Sequence, residues 1–328
     1  MKTLNGIKFK RGLKVLTFCI AAILLSNASI SAQKRKTIAP PANATQIKTI
    51  TIATEPNTVI WLDDVKRGTS DESGNLIIKS VSPGKHILRV RADGFKEVSQ
   101  NLPPTQRGDV KIALVKTTDE AELAFQEAEK LQVLSKEKSK ELYEKAISLR
   151  PKFAEAYLGL ARVLLEQSDA EGALEAVKNA RKARPGYAEA SAVEGRIYKS
   201  DEQEDKAIGS YKRAIVEGKG FQPEAYTGLA LFYKEKAEAA GAEGDFANEE
   251  TYYKQAVKYF PIAIAQLSGA PDAIVIYQLF GLVYEKMKNY EQAIALYEEF
   301  LRVFPDADEA SVVRSFIVQL KKQMNEQQ

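Results

Sequence analysis

From position 119 onward, apolar residues follow a helical spacing in paired segments that short polar turns separate. The clearest pair occupies residues 272–305, where two amphipathic stretches flank Lys288-Asn289-Tyr290 and a proline closes the segment. Residues 152–185 repeat this arrangement over the same 34 positions. Because a single hairpin cannot bury its apolar face alone, a repeat of two amphipathic helices at this period predicts a solenoid of stacked hairpins.

Three further hairpins depart from this pattern. In residues 119–151, Ser139 replaces the small alanine of the second helix, and residues 186–220 end in Gly-rich sequence rather than at a proline. Residues 221–261 carry an inserted Gly/Ala-rich segment at 239–245 and are expected to end at Pro261. A short extra piece is expected before the next hairpin. The array is therefore predicted to contain about five hairpins.

A different pattern covers residues 47–116, where short runs alternate between apolar and polar residues. Leu88 and Val90, for example, alternate with Arg89 and Arg91. Period-two alternation is typical of half-buried strands, and turn residues separate the runs. The region is therefore predicted to be a small antiparallel sandwich.

The fold class that follows is multidomain: a small all-β sandwich followed by an all-α solenoid. The sandwich and the first helix are separated by only Thr117-Thr118-Asp119, so we expect a restricted angle between them. The predicted segments are a signal peptide at 1–32, a linker at 33–46, the sandwich at 47–116, the helical array at 119–305, and a capping helix and tail at 306–328.

The N-terminal segment has the composition of a secretory signal peptide. A basic start precedes an apolar run at residues 15–25, and small and polar residues follow. The run is shorter than the roughly 20 apolar residues of a membrane span. Cleavage after Ala28 or after Ala32 fits the sequence, and retention as an anchoring segment is the alternative. The expected location is the periplasm or cell surface of a bacterium.

Composition adds constraints on chemistry and on partners. The chain is 45% hydrophobic and 28% charged, as in globular proteins. Five of its 47 basic residues lie in the first 32 positions, which leaves 42 basic and 44 acidic residues beyond them. This balance gives no electrostatic argument for a nucleic-acid partner. The single cysteine, Cys19, lies in the signal segment, so we expect no disulfide in the mature chain.

The hairpins resemble tetratricopeptide repeats. In residues 152–185, bulky Tyr157 precedes small Ala161 by four positions, Ala173 lies near the start of the second helix, and Pro185 closes the hairpin. The equivalent positions in residues 272–305 are Tyr277, Gly281, Ala293 and Pro305. This resemblance implies that a protein or peptide partner, here an envelope protein, binds the concave surface that the first helices line.

By the register of that family, fourteen side chains would line the groove. Their charges repeat from one hairpin to the next, which fits either an amphipathic groove for an extended or helical segment of another protein or ordinary solvated helix surface. In the second case each exposed ion pair contributes only about 0–1 kcal/mol. The predicted residues are Glu155, Leu158, Arg162, Leu165, Glu189, Arg196, Lys199, Glu224, Thr227, Leu231, Lys234, Gln278, Leu282 and Glu285.

The sandwich region resembles PEGA-type surface modules, and in part carboxypeptidase-regulatory-like domains, through Glu55-Pro56, the strand around Trp61, Pro83-Gly84 and Gly94-Phe95. The resemblance implies a non-catalytic module outside the cytoplasm. Trp61, the only tryptophan, is interpreted first as a core aromatic and alternatively as a platform for a sugar ring.

Candidate catalytic chemistry is absent from the sequence. No phosphate-binding loop, cysteine nucleophile or metal-ligand cluster occurs, and the lone His86 fits strand packing. We therefore expect no enzyme activity, no cofactor and no metal. The leading hypothesis is an exported scaffold that binds other envelope proteins. The alternatives are a cell-wall or glycan binder, with peptidoglycan or membrane association, and self-association through the array.

Overall fold

A β-sandwich and a row of helical hairpins make up the protein in a computed structural model that describes residues 48–81 and 84–326. The predicted fold class is thereby confirmed. The predicted signal peptide at 1–32, its cleavage positions and the linker at 33–46 lie outside the described residues. All described residues belong to one compact unit within Thr45–Gln328, so contacts between sandwich and array are part of a single body.

Seven strands form the sandwich. They are β1 (Lys48–Ala53), β2 (Val59–Leu62), β3 (Val65–Thr69), β4 (Asn75–Val81), β5 (His86–Arg91), β6 (Val98–Leu102) and β7 (Gly108–Lys111). One sheet has the order β4-β1-β7 and the other β3-β2-β5-β6. β7 pairs with β1 in parallel, so the expectation of an entirely antiparallel sandwich is wrong at this strand. The sequence pattern missed β3 and β6, which are short, polar edge strands.

The core of the sandwich comes from the alternating apolar positions of both sheets. Ile60 and Leu62 of β2 are fully buried together with Leu88 and Val90 of β5. Trp61 lies between the two buried β2 residues and therefore faces away from this core. The interpretation of Trp61 as a core aromatic is wrong, because the pleat of β2 directs it toward the helical array.

Eleven helices follow in the described residues. They are α1 (Glu120–Leu131), α2 (Lys136–Leu149), α3 (Ala154–Glu166), α4 (Ala170–Ala183), α5 (Ala188–Ser200), α6 (Glu204–Glu217), α7 (Pro223–Ala242), α8 (Phe246–Leu267), α9 (Ala273–Lys286), α10 (Tyr290–Val303) and α11 (Ala310–Glu326). Successive pairs from α1 to α10 form five hairpins, and α11 covers α10 through Val313, Ile317 and Leu320. None of these helices combines the length and the apolar character that crossing a membrane requires.

The fourth hairpin differs from its prediction. Pro261 lies inside α8, which continues to Leu267, rather than ending the hairpin. A proline in a helix removes one backbone hydrogen bond, but Phe260, Ala263 and Leu267 are buried on one face of α8 and stabilise the continuous helix. The inserted segment likewise extends α7 to Ala242 instead of forming a long loop.

Helix packing in the array depends on tyrosine rings placed against glycines. Tyr211 of α6 is fully buried, and its ring lies where side chains at Gly195 of α5 and Gly228 of α7 would project. A Cβ at Gly195 would lie 2.6 Å from that ring, and one at Gly228 would lie 2.4 Å from it. The same arrangement joins Tyr297 to Gly281. Both distances are shorter than a van der Waals contact, so only glycine permits this approach.

Hydrogen bonds join the sandwich to the array at two separated places, and the exposed Lys79–Asp306 ion pair is a third contact. Near its start, Gln126 of α1 accepts a hydrogen bond from Gly94 N at 2.9 Å and donates one to Phe95 O at 2.8 Å. Far along the chain, Arg67 Nη1 donates to the carbonyl oxygens of Leu267 at 2.7 Å and Ser268 at 2.9 Å. These carbonyls end α8, where a cation also interacts favourably with the helix dipole. The sandwich therefore spans from the first hairpin to the fourth.

Alanine at Gly195 and at Gly209 should change stability in opposite directions. Gly195→Ala forces a methyl group against the Tyr211 ring and should lower the free energy of unfolding by about 1–3 kcal/mol. Gly209 lies inside α6, and a Cβ there would have no neighbouring heavy atom within 4 Å. Gly209→Ala should therefore raise the free energy of unfolding by about 0.5–1 kcal/mol. Denaturant unfolding measures both, and two shifts of the same sign would contradict the packing argument.

Removing the Arg67 side chain should loosen the junction between β3 and α8. Arg67→Ala leaves two carbonyls at the end of α8 without their charged donor, so amides of β3 and of the last turn of α8 should exchange about tenfold faster. Lys79→Ala is the matched control, since the Lys79–Asp306 pair has side chains 69% and 86% exposed. Hydrogen exchange followed by mass spectrometry compares the variants; equal protection in both would refute the junction's role.

Candidate partner-binding cavity

A cavity of about 1300 Å³ lies between the sandwich and the concave side of the array. The sandwich contributes Trp61, Asp64, Lys66 and Arg89, which lie on and beside β2, β3 and β5. The array contributes the exposed faces of its first helices, mainly α3, α5 and α7, with part of α9. The concave surface is therefore not an open groove, because the protein's own β-sandwich covers part of it.

Nine of the fourteen predicted groove residues line this cavity. They come from three consecutive first helices, which stacking brings side by side. The nine are Glu155, Arg162, Leu165, Glu189, Arg196, Lys199, Glu224, Thr227 and Leu231.

The other five predicted residues lie elsewhere. Leu158 is buried in the hydrophobic cluster of α3 and α4. Lys234 Nζ pairs with Glu238 on its own helix at 2.7 Å. Gln278, Leu282 and Glu285 are on α9 outside the cavity lining, and Glu285 accepts a hydrogen bond from Tyr297 Oη at 2.7 Å.

The charges in the cavity form a connected network rather than a set of independent solvated groups. Arg162 Nη2 of α3 binds Glu189 of α5 at 3.0 Å and Glu224 of α7 at 2.8 Å. Arg196 of α5 also contacts Glu224, at 3.3 Å. The Arg162 and Glu224 side chains are only 24% and 26% exposed, so water screens this pair less than a surface pair. The network therefore connects side chains of all three helices.

Burial and charge act in opposite directions in this network. Burial favours the neutral form of Arg162, but Glu224 and Glu189 outweigh it and raise the pKa of the guanidinium. For Glu189, burial dominates and raises the pKa of the carboxyl, although Arg162 favours its charged form. Arg89 and Asp64 of the sandwich also act on the pKa of Glu189, so charges on the two walls interact across the cavity.

Two further ion pairs flank the network. Arg184 binds Glu155, and Lys199 Nζ binds Glu235 at 2.6 Å. Both carboxylates line the cavity, so they too are engaged by cations of the protein itself.

The wall contributed by the sandwich was not predicted as part of the site. Arg89 lies over the Trp61 ring with its guanidinium carbon 4.5 Å from the ring centroid, and Arg91 lies at 4.9 Å. The alternation along β5 placed both arginines on the face opposite the core, which is the available signal. Asp63 also lines the cavity, but its carboxylate already contacts His86 Nδ1 at 2.6 Å and accepts from Ile87 N at 2.8 Å.

Several buried polar atoms of the described residues lack a hydrogen-bond partner. Three of them, Arg89 Nε, Arg162 Nε and Tyr211 Oη, belong to residues that line the cavity. Burial raises the pKa of Tyr211, so its hydroxyl is a neutral donor at physiological pH. Unpaired buried donors cost free energy, and these three atoms are covered by the protein itself rather than open to the cavity.

Within residues 48–81 and 84–326, no cluster of potential metal-ligating side chains could hold a metal ion. The arrangement offers binding chemistry: a mixed charged lining and apolar side chains such as Leu231 and Ile276.

Phenylalanine at Tyr211 and at Tyr297 should separate an unpaired hydroxyl from a paired one. Tyr297→Phe removes a bond to a carboxylate and should lower the free energy of unfolding by about 1.5–3 kcal/mol. Tyr211→Phe removes a hydroxyl with no partner and should change it by no more than about 0.5 kcal/mol, or raise it. Denaturant titrations give both values. Equal decreases in the free energy of unfolding would show that the Tyr211 hydroxyl forms a hydrogen bond in the unliganded protein.

Comparison with known proteins supports the repeat assignment. Two family models, each described as a tetratricopeptide repeat, match residues 137–197 and 274–306. The first runs from α2 to α5 and the second covers α9 and α10. No match is found among curated protein sequences.

Several solved structures are similar to parts of this chain. Yeast Tom70 is 15% identical, with a TM-score of 0.50 over 63% of this chain and 41% of that one. MamA is 19% identical with a TM-score of 0.40, over 60% of this chain and 96% of that one. A thermophilic TPR protein of Thermus thermophilus is 20% identical with a TM-score of 0.43, over 60% and 99% respectively. Residues 137–197 and 274–306 therefore match tetratricopeptide repeats, and the array shares its helical fold with Tom70.

Proposed function

We propose that the protein is an exported, non-catalytic adaptor that binds a segment of another cell-envelope protein in the cavity. Tetratricopeptide repeats in general mediate protein–protein interactions, which supports the class of partner. The observation that carries the proposal is the cavity itself, into which three stacked helices direct the predicted groove residues. Export rests on the sequence of residues 1–32 alone.

The lining favours a peptide over a small metabolite. At about 1300 Å³ the cavity exceeds the roughly 300–1,000 Å³ of small-molecule sites. Its apolar residues are spread among charged ones instead of forming a single apolar pocket. Such a surface suits a chain segment that alternates between side chains and backbone polar groups.

The position of Trp61 supports a second candidate function. A tryptophan outside the core of a PEGA-like module, at the wall of a cavity, is suited to stacking against a sugar ring. However, Arg89 and Arg91 already lie against this ring, and a sugar would have to displace them. Glycan binding through the sandwich, with the array as a spacer, is therefore the second proposal. Retention of the full chain on peptidoglycan, compared with Trp61→Ala, tests it.

A photo-crosslinking amino acid in the cavity should capture the partner. Placed at Leu231 in the full chain in intact cells, it should give one dominant adduct, because this side chain lines the cavity. The same amino acid at Lys178, an exposed position on α4 whose side chain is 74% accessible, should not give that adduct. Mass spectrometry identifies the adduct, and cell fractionation places it.

The adaptor proposal predicts an envelope protein that is crosslinked from position 231 and not from position 178. Identical adducts from both positions, or none from position 231, would count against binding in the cavity. An adduct found only with cytoplasmic proteins would leave the cavity as the site and overturn the proposed location.

A further inference from the structure

We propose that the turn between α1 and α2 docks the protein on the surface of an anionic lipid bilayer. Val133 and Leu134, which together we call the aliphatic pair, would enter the lipid, and lysines of α2 would lie against the headgroups. The inference goes beyond the proposed function and is independent of it, because no residue of this turn lines the cavity.

The aliphatic pair stands out by its exposure. Val133 and Leu134 follow the end of α1, and 91% and 76% of their surfaces are exposed. These are the two highest values among the large apolar side chains of the described residues. Single exposed apolar residues are ordinary on a protein surface. Two adjacent ones in a turn, however, place a contiguous apolar surface where nothing else in the protein covers it.

Lysines are concentrated next to this turn. Residues 130–140 carry four lysines and one glutamate, whereas acids slightly outnumber bases in the chain beyond position 32. Lys136, Lys138 and Lys140 fall within the first five residues of α2. The same positions of α4, α6, α8 and α10 hold at most one lysine. Because cations in the first turn of a helix oppose its dipole, helix stability does not account for these lysines.

Two of these lysines are available to an outside anion. Lys130 Nζ binds Asp93 of the sandwich at 3.2 Å, and Lys136 Nζ binds Glu166 at 3.3 Å. Lys138 and Lys140, in contrast, form no ion pair within residues 48–81 and 84–326. Cα–Cβ bonds tilt toward the start of a helix, so both side chains lean toward the turn with the aliphatic pair.

An anionic bilayer complements both features at once. Surface binding to a membrane grows with the apolar area that is buried and with the attraction of basic residues to anionic lipids. Each lysine near such a surface strengthens binding about fivefold. The aliphatic pair and two unpaired lysines therefore suit reversible attachment, in which the turn enters the headgroup region and no helix crosses the bilayer.

A second copy of this chain is the competing occupant, through an acidic segment at residues 238–250. This segment carries five acidic and no basic residues. Glu238 and Glu250, however, already bind lysines of their own helices at 2.7 Å and 2.6 Å. The large apolar side chain of the segment, Phe246, is 70% exposed and offers no apolar pocket to the aliphatic pair. The bilayer is therefore the better complement.

A local fluorescent probe on the full chain tests the inference. Cys19→Ser removes the native cysteine, and Leu134→Cys or Phe246→Cys then carries the environment-sensitive dye NBD. The chain is mixed with vesicles of phosphatidylglycerol and phosphatidylethanolamine. Dye at position 134 should brighten about twofold or more and shift to shorter wavelength as it enters the lipid. Dye at position 246, an exposed apolar position among acids, should not respond. Because the readout is local, lipid contacts of residues 15–25 do not produce it.

Variants of the chain labelled at position 134 assign the contacts. Lys138→Gln combined with Lys140→Gln should weaken vesicle binding about 25-fold. The matched control, Lys321→Gln with Lys322→Gln on α11, removes the same charge and should stay within about twofold. Val133→Ser should weaken binding about three- to tenfold through lost apolar burial. Circular dichroism confirms that each variant is folded.

Each outcome decides for or against the bilayer. A response at position 134 alone, weakened by both the lysine and the Val133 variants, supports it. Equal responses at positions 134 and 246, or an equal response to uncharged phosphatidylcholine vesicles, would overturn it. A lipid-independent response that grows with protein concentration, together with dimers in sedimentation that Val133→Ser abolishes, would assign the turn to a second copy instead. None of these results alters crosslinking from position 231, which tests the proposed function separately.

Discussion

The contact between a tyrosine ring of one helix and a glycine of its neighbour sets the spacing on which the array depends. Tyr211 of α6 fills the space beside Gly195 and Gly228, and so joins α5, α6 and α7 through one buried ring. Those helices also carry Glu189, Arg196 and Glu224 into the cavity. The ion pairs therefore have their short distances because apolar packing, which is much less dependent on salt than the charges, has already fixed the helices.

Covering of the concave side distinguishes this chain from a simple row of hairpins. Stacked helical repeats expose a curved surface, and here the β-sandwich occupies part of it through Gln126 at one end and Arg67 at the other. The consequence is a site built from two parts of the chain with different chemistry. The array supplies a carboxylate-rich network, and the sandwich supplies a stacked tryptophan and arginine.

Local sequence patterns predicted those helices and strands whose formation depends mainly on the spacing of their own apolar residues. Helical spacing and the 34-residue period predicted the hairpins, and period-two alternation predicted the central strands β2 and β5. The continuation of α8 through Pro261 was not predictable locally, because it depends on burial of Phe260 and Leu267 against other helices. The register of the resembled repeat family predicted Arg162 and Glu224 as groove residues, and both line the cavity. Alternation indicates that Trp61 and Arg89 lie opposite the core, but the packing of that face against the array is a tertiary relation that no spacing encodes, so the sandwich wall was missed.

The bond between Arg67 and the carbonyl of Leu267 joins residues 200 positions apart in the sequence. Helical repeat proteins ordinarily interact only with their immediate neighbours, so they gain and lose structure in a nearly one-dimensional manner, repeat by repeat. Because this hydrogen bond joins residues so far apart in the sequence, unfolding of the fourth hairpin and dissociation of the sandwich are expected to occur together. This bond also delays completion of the fold until both ends have been synthesised, since contacts of large sequence separation form slowly. We therefore expect the chain to unfold as one cooperative unit, because the sandwich binds both the first and the fourth hairpin of the solenoid.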